Sequence, residues 1–211
     1  ITFKVLPAND TSSTLVIHEN DKKEIAKLFN KIQSSSNEIS GSVFVPAEPS
    51  NKIYTQNREK IFKFNDLKNE GSFLAIRMEG SKKSIDELIQ NLTFELDLKK
   101  KNKSLLDVHQ SVLFWEKINN LELFSSTPNC LVRVVIPPSK CIDLMEYLGN
   151  EYKYYIDWCG SLFWIEILYE EEEKLSSIKD YIVKIAGYLT VIKNSKNSLS
   201  INDIFTIDET R

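Results

Sequence analysis

Ser72-Phe73-Leu74-Ala75-Ile76-Arg77-Met78-Glu79-Gly80 reads as a strand, and the residues behind it read as a helix. Alternation sends Leu74, Ile76 and Met78 to one face and Phe73, Arg77 and Glu79 to the other, the period-two pattern of a strand with one apolar side. After it, Ile85, Leu88, Ile89 and Leu92 fall at i, i+3, i+4, i+7, the stripe of a helix lying on an apolar surface. The charged couple Arg77 and Glu79 shares the other strand face. A guanidinium on rigid backbone there can grip a carboxylate through two parallel hydrogen bonds, or it can make an ordinary structural salt bridge.

The same succession extends on both sides. Upstream, Thr14 to His18 is a short β-branched run, and Ile25, Leu28, Phe29 and Ile32 form a helical stripe behind a capping pair, Asp21 and Glu24. Ile39 to Pro46 returns as a strand, and a polar stretch, Glu48 to Asn69, leads to Ser72. Downstream, Phe94, Leu96 and Leu98 alternate and predict another strand. A lysine-rich link (Lys99, Lys100, Lys101, Lys103) leads to a helix over 104–120 with Val108, Val112 and Trp115 along one side. The order then repeats: a strand Leu131 to Ile136, a helix bearing Cys141, Leu144, Met145 and Leu148, and the alternating Tyr152, Tyr154 and Ile156. A strand Ser161 to Tyr169, a helix with Ile178, Tyr181, Ile182 and Ile185, and a last strand Tyr188 to Lys193 complete it. The expected class is α+β: two ferredoxin-like βαββαβ units, 8–98 and 129–195, with an antiparallel sheet, helices on one face and a connecting helix. The opening Ile1-Thr2-Phe3-Lys4-Val5-Leu6-Pro7 reads as a strand stopped by Pro7, as in the middle of a longer polypeptide.

Composition narrows the function. The chain has 211 residues, 42% of them apolar, a net charge of −3, three cysteines and six glycines. That apolar share supports a core and excludes disorder, no apolar run is long enough to span a membrane, and the missing basic face argues against nucleic acid as the main partner. Cys130, Cys141 and Cys159 have no metal-ligand spacing and cannot all pair, which makes a reducing cytoplasm the simplest home. No glycine-rich phosphate loop and no nucleophile-elbow serine occurs. His18 and His109 stand far apart without a carboxylate pattern, so a strand end and a helix surface are their simplest readings. Glu170 to Glu173 and the lysine cluster 99–103 read as solvated segments.

Two further places carry chemistry. Arg133 stands in a strand whose reverse face is Val132, Val134 and Ile136, so it is either a second rigid carboxylate clamp or an exposed arginine. In Ile156-Asp157-Trp158-Cys159-Gly160-Ser161-Leu162-Phe163-Trp164, two indoles flank a tight turn, where they can wall a cofactor ring or fill core.

At these segments the sequence resembles the C-terminal half of the FAD-binding component of bacterial glycolate oxidases, in the vanillyl-alcohol-oxidase-type FAD-linked oxidase superfamily. The opening strand is similar to the one leaving that family's FAD domain, Ile76-Arg77-Met78-Glu79-Gly80 to its apolar-Arg-Leu-Glu-Gly, and Phe114-Trp115 to its Phe-Trp helix. Leu131-Val132-Arg133-Val134 with Pro137 resembles its Leu-Trp-Arg-Leu-Ser-apolar-Pro strand, and Asp157-Trp158-Cys159-Gly160 with Trp164 its Asp-Trp-Gly-Gly-x-x-Arg-Trp turn. The resemblance implies a cap domain over residues 1–211 of a FAD-linked 2-hydroxy-acid dehydrogenase. An N-terminal domain outside this chain holds most of the FAD, glycolate gives a hydride to the flavin, and electrons pass to an iron–sulfur partner subunit. It implies Arg77 and Arg133 as substrate-binding residues and Asp157, Trp158, Gly160 and Trp164 as cofactor-facing ones, in a cytoplasmic complex with any membrane association through partner subunits. Cys159 and Phe163 stand where the family has a glycine and an arginine. Ala186-Gly187-Tyr188-Leu189-Thr190 stands for its Gly-Gly-His-Ala-Thr, and its closing Phe-Asn-Pro-Gly-Arg is absent before Arg211. These departures imply an alternative: a catalytically impaired subunit that keeps the fold and docks to partner oxidase subunits.

Overall fold

The computed structural model describes residues 10–47, 71–98, 102–124, 130–168 and 172–193. The expectations for the opening strand 1–7, the polar stretch 48–69, most of the lysine link, the start of the acidic run and the tail before Arg211 lie outside those residues. In chain order the elements are β1 (Thr11–His18), α1 (Lys22–Ser34), β2 (Gly41–Val45), β3 (Phe73–Gly80), α2 (Lys82–Glu95), β4 (Lys103–Leu106) and α3 (Val108–Asn119). They continue with β5 (Cys130–Val135), α4 (Cys141–Leu148), β6 (Lys153–Asp157), β7 (Leu162–Ile167), α5 (Glu172–Lys184) and β8 (Tyr188–Lys193). All described strands belong to one antiparallel sheet of eight, in the order β4-β1-β3-β2-β6-β7-β5-β8.

The order of described elements repeats along the chain. Each half runs strand, helix, strand, strand, helix, strand, and the two halves meet edge to edge where β2 pairs with β6. That seam is short: the paired residues are Val43 with Asp157 and Phe44 with Ile156.

The alternation of β3 sorts its side chains as read from the sequence. Leu74, Ile76 and Met78 join a core with α1, α2, α4 and α5, while Phe73 and Ala75 join a second core with α3 on the reverse face. The helical stripes hold too, since Ile25, Leu28, Phe29 and Ile32 of α1 and Cys141, Leu144, Met145 and Leu148 of α4 are all buried. Among the described residues four helices thus cover one face, and the connecting helix with Leu123 and Phe124 covers part of the other.

Two expectations fail. The alternating Phe94, Leu96 and Leu98 are not a strand: α2 continues to Glu95, and Phe94 is 77% exposed. Leu96 follows buried Leu92 by four positions, so its burial continues a helical stripe. The fourth strand of the first half is instead Lys103–Leu106, where only Leu106 is buried. A short, lysine-bearing strand suits the sheet edge it occupies and leaves little hydrophobic pattern to read. In α3 the inward side is Ser111, Phe114, Trp115 and Ile118, whereas Val108 and Val112 are about half exposed, at 50% and 49%. The polar Ser111 can face inward because its hydroxyl lies 2.7 Å from that of Thr14, which also accepts a hydrogen bond from Trp115 Nε1 at 2.9 Å.

A seam hollow and an open half-sheet face as the candidate site

β6 ends at Asp157, whose carboxylate accepts a hydrogen bond from the Trp158 amide at 2.7 Å. Trp158 (φ 49°), Cys159 (φ 49°) and Gly160 (φ 93°) then lie in succession in the left-handed region, which throws the chain sharply back into β7. Non-glycine residues pay roughly 1–2 kcal/mol for that conformation and keep it only where surroundings enforce it. Here they do. The Cys159 amide donates to Ser42 Oγ at 3.2 Å, and Gln33 Nε2 donates to the Cys159 carbonyl at 3.1 Å, so β2 and α1 of the first half clamp a turn of the second. Gly160 is buried beneath it, with its missing Cβ position 3.1 Å from Cys141 Sγ and 3.2 Å from Phe29 Cδ2.

Because the seam strands part company beyond Val43 and Asp157, a hollow of about 510 Å³ opens between the turn, the start of β2, the end of α1 and the end of α3. Arg77, Asp157 and Trp158 all line it, together with Trp115, Ser42 and Asn119. Arg77 is tied to Glu79 at 2.9 Å, its guanidinium carbon lies 6.0 Å from the Trp115 ring centroid, and its Nε is buried without a hydrogen-bond partner. Burial raises the Asp157 carboxyl above its ordinary pKa against the lowering effect of the Trp158 amide. Burial likewise raises the Cys159 thiol, with Ser42 lowering it and the Asp157 charge adding to the rise.

Arg133 does not line the hollow. It projects from β5 onto the face that α3 leaves uncovered, its guanidinium carbon 5.3 Å from the Trp158 ring centroid, and no ion pair holds it among the described residues. That open face continues through half-buried Trp164 and Thr190 to Tyr188 and Ile192, which are 50% and 48% exposed. Trp164 also rests against Tyr155, with ring centroids 6.4 Å apart. The structure thus gathers Arg77, Asp157 and Trp158 in one hollow, joins Arg133 to them through the Trp158 ring, sets Trp164 on the neighbouring face, and turns Gly160 into the core.

Sequence reading missed Gln33, Asn119 and Trp115 as members of this region. Trp115 read as one of a helix stripe with Val108 and Val112, and the two amides sit on helices with no local motif. Ser40-Gly41-Ser42, a small polar break just ahead of an apolar strand, was the one available signal. No group of three or more His, Cys, Asp or Glu able to hold a metal occurs among the described residues, and no described helix is long and apolar enough to cross a membrane.

No protein-family model matches this sequence, and no curated protein matches it. Solved structures do match the fold. p-Cresol methylhydroxylase with substrate bound aligns at a TM-score of 0.55 and 13% identity, over 90% of this chain and 47% of that one. 4-Ethylphenol oxidase from Gulosibacter chungangensis in its isoeugenol complex aligns at 0.54 and 11%, over 85% of this chain and 44% of that one. The chain spans about half the length of these enzymes, and at such identities the likeness is one of fold.

Proposed function

We propose that this chain is the substrate-side cap of a flavin-dependent oxidase acting on glycolate or a similar 2-hydroxy acid, each half of its sheet being a ferredoxin-like unit. The observation that carries the reading is Arg133: a guanidinium on a rigid strand, without an ion pair among the described residues, beside an exposed indole on an open sheet face. The fold likeness to part of two oxidising enzymes, p-cresol methylhydroxylase and 4-ethylphenol oxidase, supports it.

In this reading Arg133 takes the substrate carboxylate in a two-point grip and so fixes the hydroxyl-bearing carbon. Arg77 is the second clamp, weakened by Glu79, which already occupies part of its guanidinium. Trp158, 56% exposed, covers the bound acid and keeps water from it. The residues present fit one face of a planar cofactor ring, since Trp158 and half-buried Trp164 offer flat surfaces on the open side; Asp157 and Gly160 hold the turn that presents Trp158. They offer nothing to a dinucleotide's phosphates, which fall to the FAD-binding domain outside this chain. FAD, when bound, supplies the hydride acceptor. Electrons leave to an iron–sulfur subunit of the same complex.

A second reading, a catalytically impaired subunit docking to partner oxidase subunits, is favoured by Tyr188. It occupies the position where the resemblance implies a histidine, and it lies on the open face, opposite Val135 in the β5–β8 register. The other departure weighs less. Phe163 stands where an arginine is implied, but it is fully buried against the four-helix face, so a charge at that position points away from the site.

Purification of the protein with its neighbouring subunits separates the two. The oxidase reading expects a yellow preparation whose visible band bleaches on anaerobic addition of glycolate, and an Arg133→Ala variant whose KM for glycolate rises at least about tenfold. A colourless complex that still assembles supports the docking reading and removes the oxidase one.

A further inference from the structure

We propose that the seam hollow binds a neutral, hydroxyl-rich ring, a mono- or disaccharide, laid against its indole walls. This goes beyond the flavin reading, with which it shares Arg77, Asp157 and Trp158, and its test needs neither flavin nor turnover.

Its charge balance selects the ligand. Arg77 is matched by Glu79 at 2.9 Å. Asp157 lies in the wall with no ion pair among the described residues, and Arg133 stands behind the Trp158 ring. At the α1 end, Glu95 receives the hydrogen bonds of Ser35 and Asn37 while Lys31 Nζ donates to the Glu95 carbonyl. The charged residues of the described lining are one cation and one anion, Arg77 and Asp157, so an anion meets Asp157 and a cation meets Arg77, each at a cost that a neutral ligand avoids.

The unused hydrogen-bonding capacity is mixed in the same way. Arg77 Nε is buried away from solvent and Nη2 is paired with Glu79, so the capacity open to a ligand lies elsewhere in the wall. One Asp157 oxygen accepts from the Trp158 amide, and the other has no hydrogen bond among the described residues. The Asn119 amide, a donor and an acceptor together, makes no side-chain hydrogen bond among the described residues. A hydroxyl donates to a carboxylate and accepts from an amide N–H at once, so a ring carrying several of them suits both Asp157 and Asn119, where a carboxylate or an ammonium satisfies only one kind. Trp115 and Trp158 supply flat apolar walls for the C–H face of such a ring. A volume of about 510 Å³ lies within the range of sites that enclose small molecules.

The test is calorimetric titration of the full chain with glucose, galactose, mannose and maltose, with glycolate and choline as charged comparators. At least one saccharide is expected to bind saturably, and neither charged comparator is expected to displace it. Asn119→Ala, which alters an exposed side chain, and Trp158→Ala, which removes an exposed ring, are each expected to weaken binding at least about tenfold with the far-ultraviolet circular dichroism unchanged. Absence of saturation by all four sugars, displacement by glycolate or choline, or unchanged affinity in both variants overturns the proposal. None of these readouts involves flavin or turnover, so its failure and that of the oxidase reading are told apart.

Discussion

At the scale of single residues, the turn after β6 shows where stability yields to shape. Cys159 sits at φ 49° and ψ 46°, a conformation that a Cβ disfavours, and it is held there by Ser42 and Gln33. Cys159→Val, β-branched and so least tolerant of that region, is expected to lower folding stability by about 1–2 kcal/mol in urea titration, whereas Cys159→Gly keeps the wild-type midpoint or exceeds it. The reverse order of midpoints contradicts the strain account. Cys141, below this turn, carries a thiol that burial pushes up from 9.0 to about 12. The folded state therefore keeps a proton that the unfolded chain releases, so this contribution is present in full below pH 9 and is lost as pH rises toward 12. Buried Tyr154 and Tyr155, raised mainly by burial, add to the same alkaline loss. Cys141→Ala is expected to flatten the fall in unfolding free energy between pH 9 and pH 11, while leaving the acid side unchanged; an unaltered alkaline slope excludes this cause.

At the scale of elements, the seating of α3 depends on one polar knot. Thr14 Oγ1 lies 2.7 Å from Ser111 Oγ and accepts from Trp115 Nε1 at 2.9 Å, in a region otherwise apolar. Thr14→Val keeps the shape and strands both partners, so a loss of about 2–3 kcal/mol is expected from thermal or urea unfolding. Adding Ser111→Ala is expected to cost less than the sum of the two single changes, because one of the orphaned groups has then been removed. The junction of α5 with β8 depends on close approach. A Cβ on Gly187 stands 2.7 Å from Ile136 Cγ2, 2.9 Å from Ile182 Cγ2 and 3.0 Å from the Val135 carbonyl. Gly187→Ala is expected to destabilise by about 1–3 kcal/mol through overpacking, and an unchanged melting temperature refutes that contact. α2 and β4 also explain the strand misread at 94–98. A helix stripe and a strand alternation share the spacing of Leu92, Leu96 and Leu98 closely enough that the pattern alone does not separate them, and an edge strand such as Lys103–Leu106 has one buried residue to announce it.

At the scale of the whole molecule, a seam of two register pairs looks like a weak joint between two halves, yet both faces are bridged. Lys22 Nζ of α1 donates to the Met145 carbonyl of α4 at 2.7 Å, Tyr155 of β6 donates to the Ile118 carbonyl of α3 at 3.1 Å, and Phe124 stacks on Tyr155 with ring centroids 5.4 Å apart. Unfolding is accordingly expected as one transition, coincident by circular dichroism and tryptophan fluorescence, with Phe44→Ala at the seam lowering its free energy by about 3–5 kcal/mol. Two separated transitions in the wild type count against a unified core. The repeat, the sorting of β3 between two faces and the stripes of α1 and α4 were all legible in the chain, because periodicities of two and 3.6 residues record which side chains face apolar surroundings. Arg77, Arg133, Asp157 and Trp158 stood out in the sequence for the same reason: each breaks an apolar pattern or sits at a turn. Only the folded molecule decided that Glu79 pairs with Arg77 while no ion pair holds Arg133 among the described residues, that Gly160 faces the core, and that Gln33, Trp115 and Asn119 line one hollow with the turn. Those relations join residues many tens of positions apart, and no local periodicity encodes the distance between two strands that first become neighbours when the halves of the sheet come together.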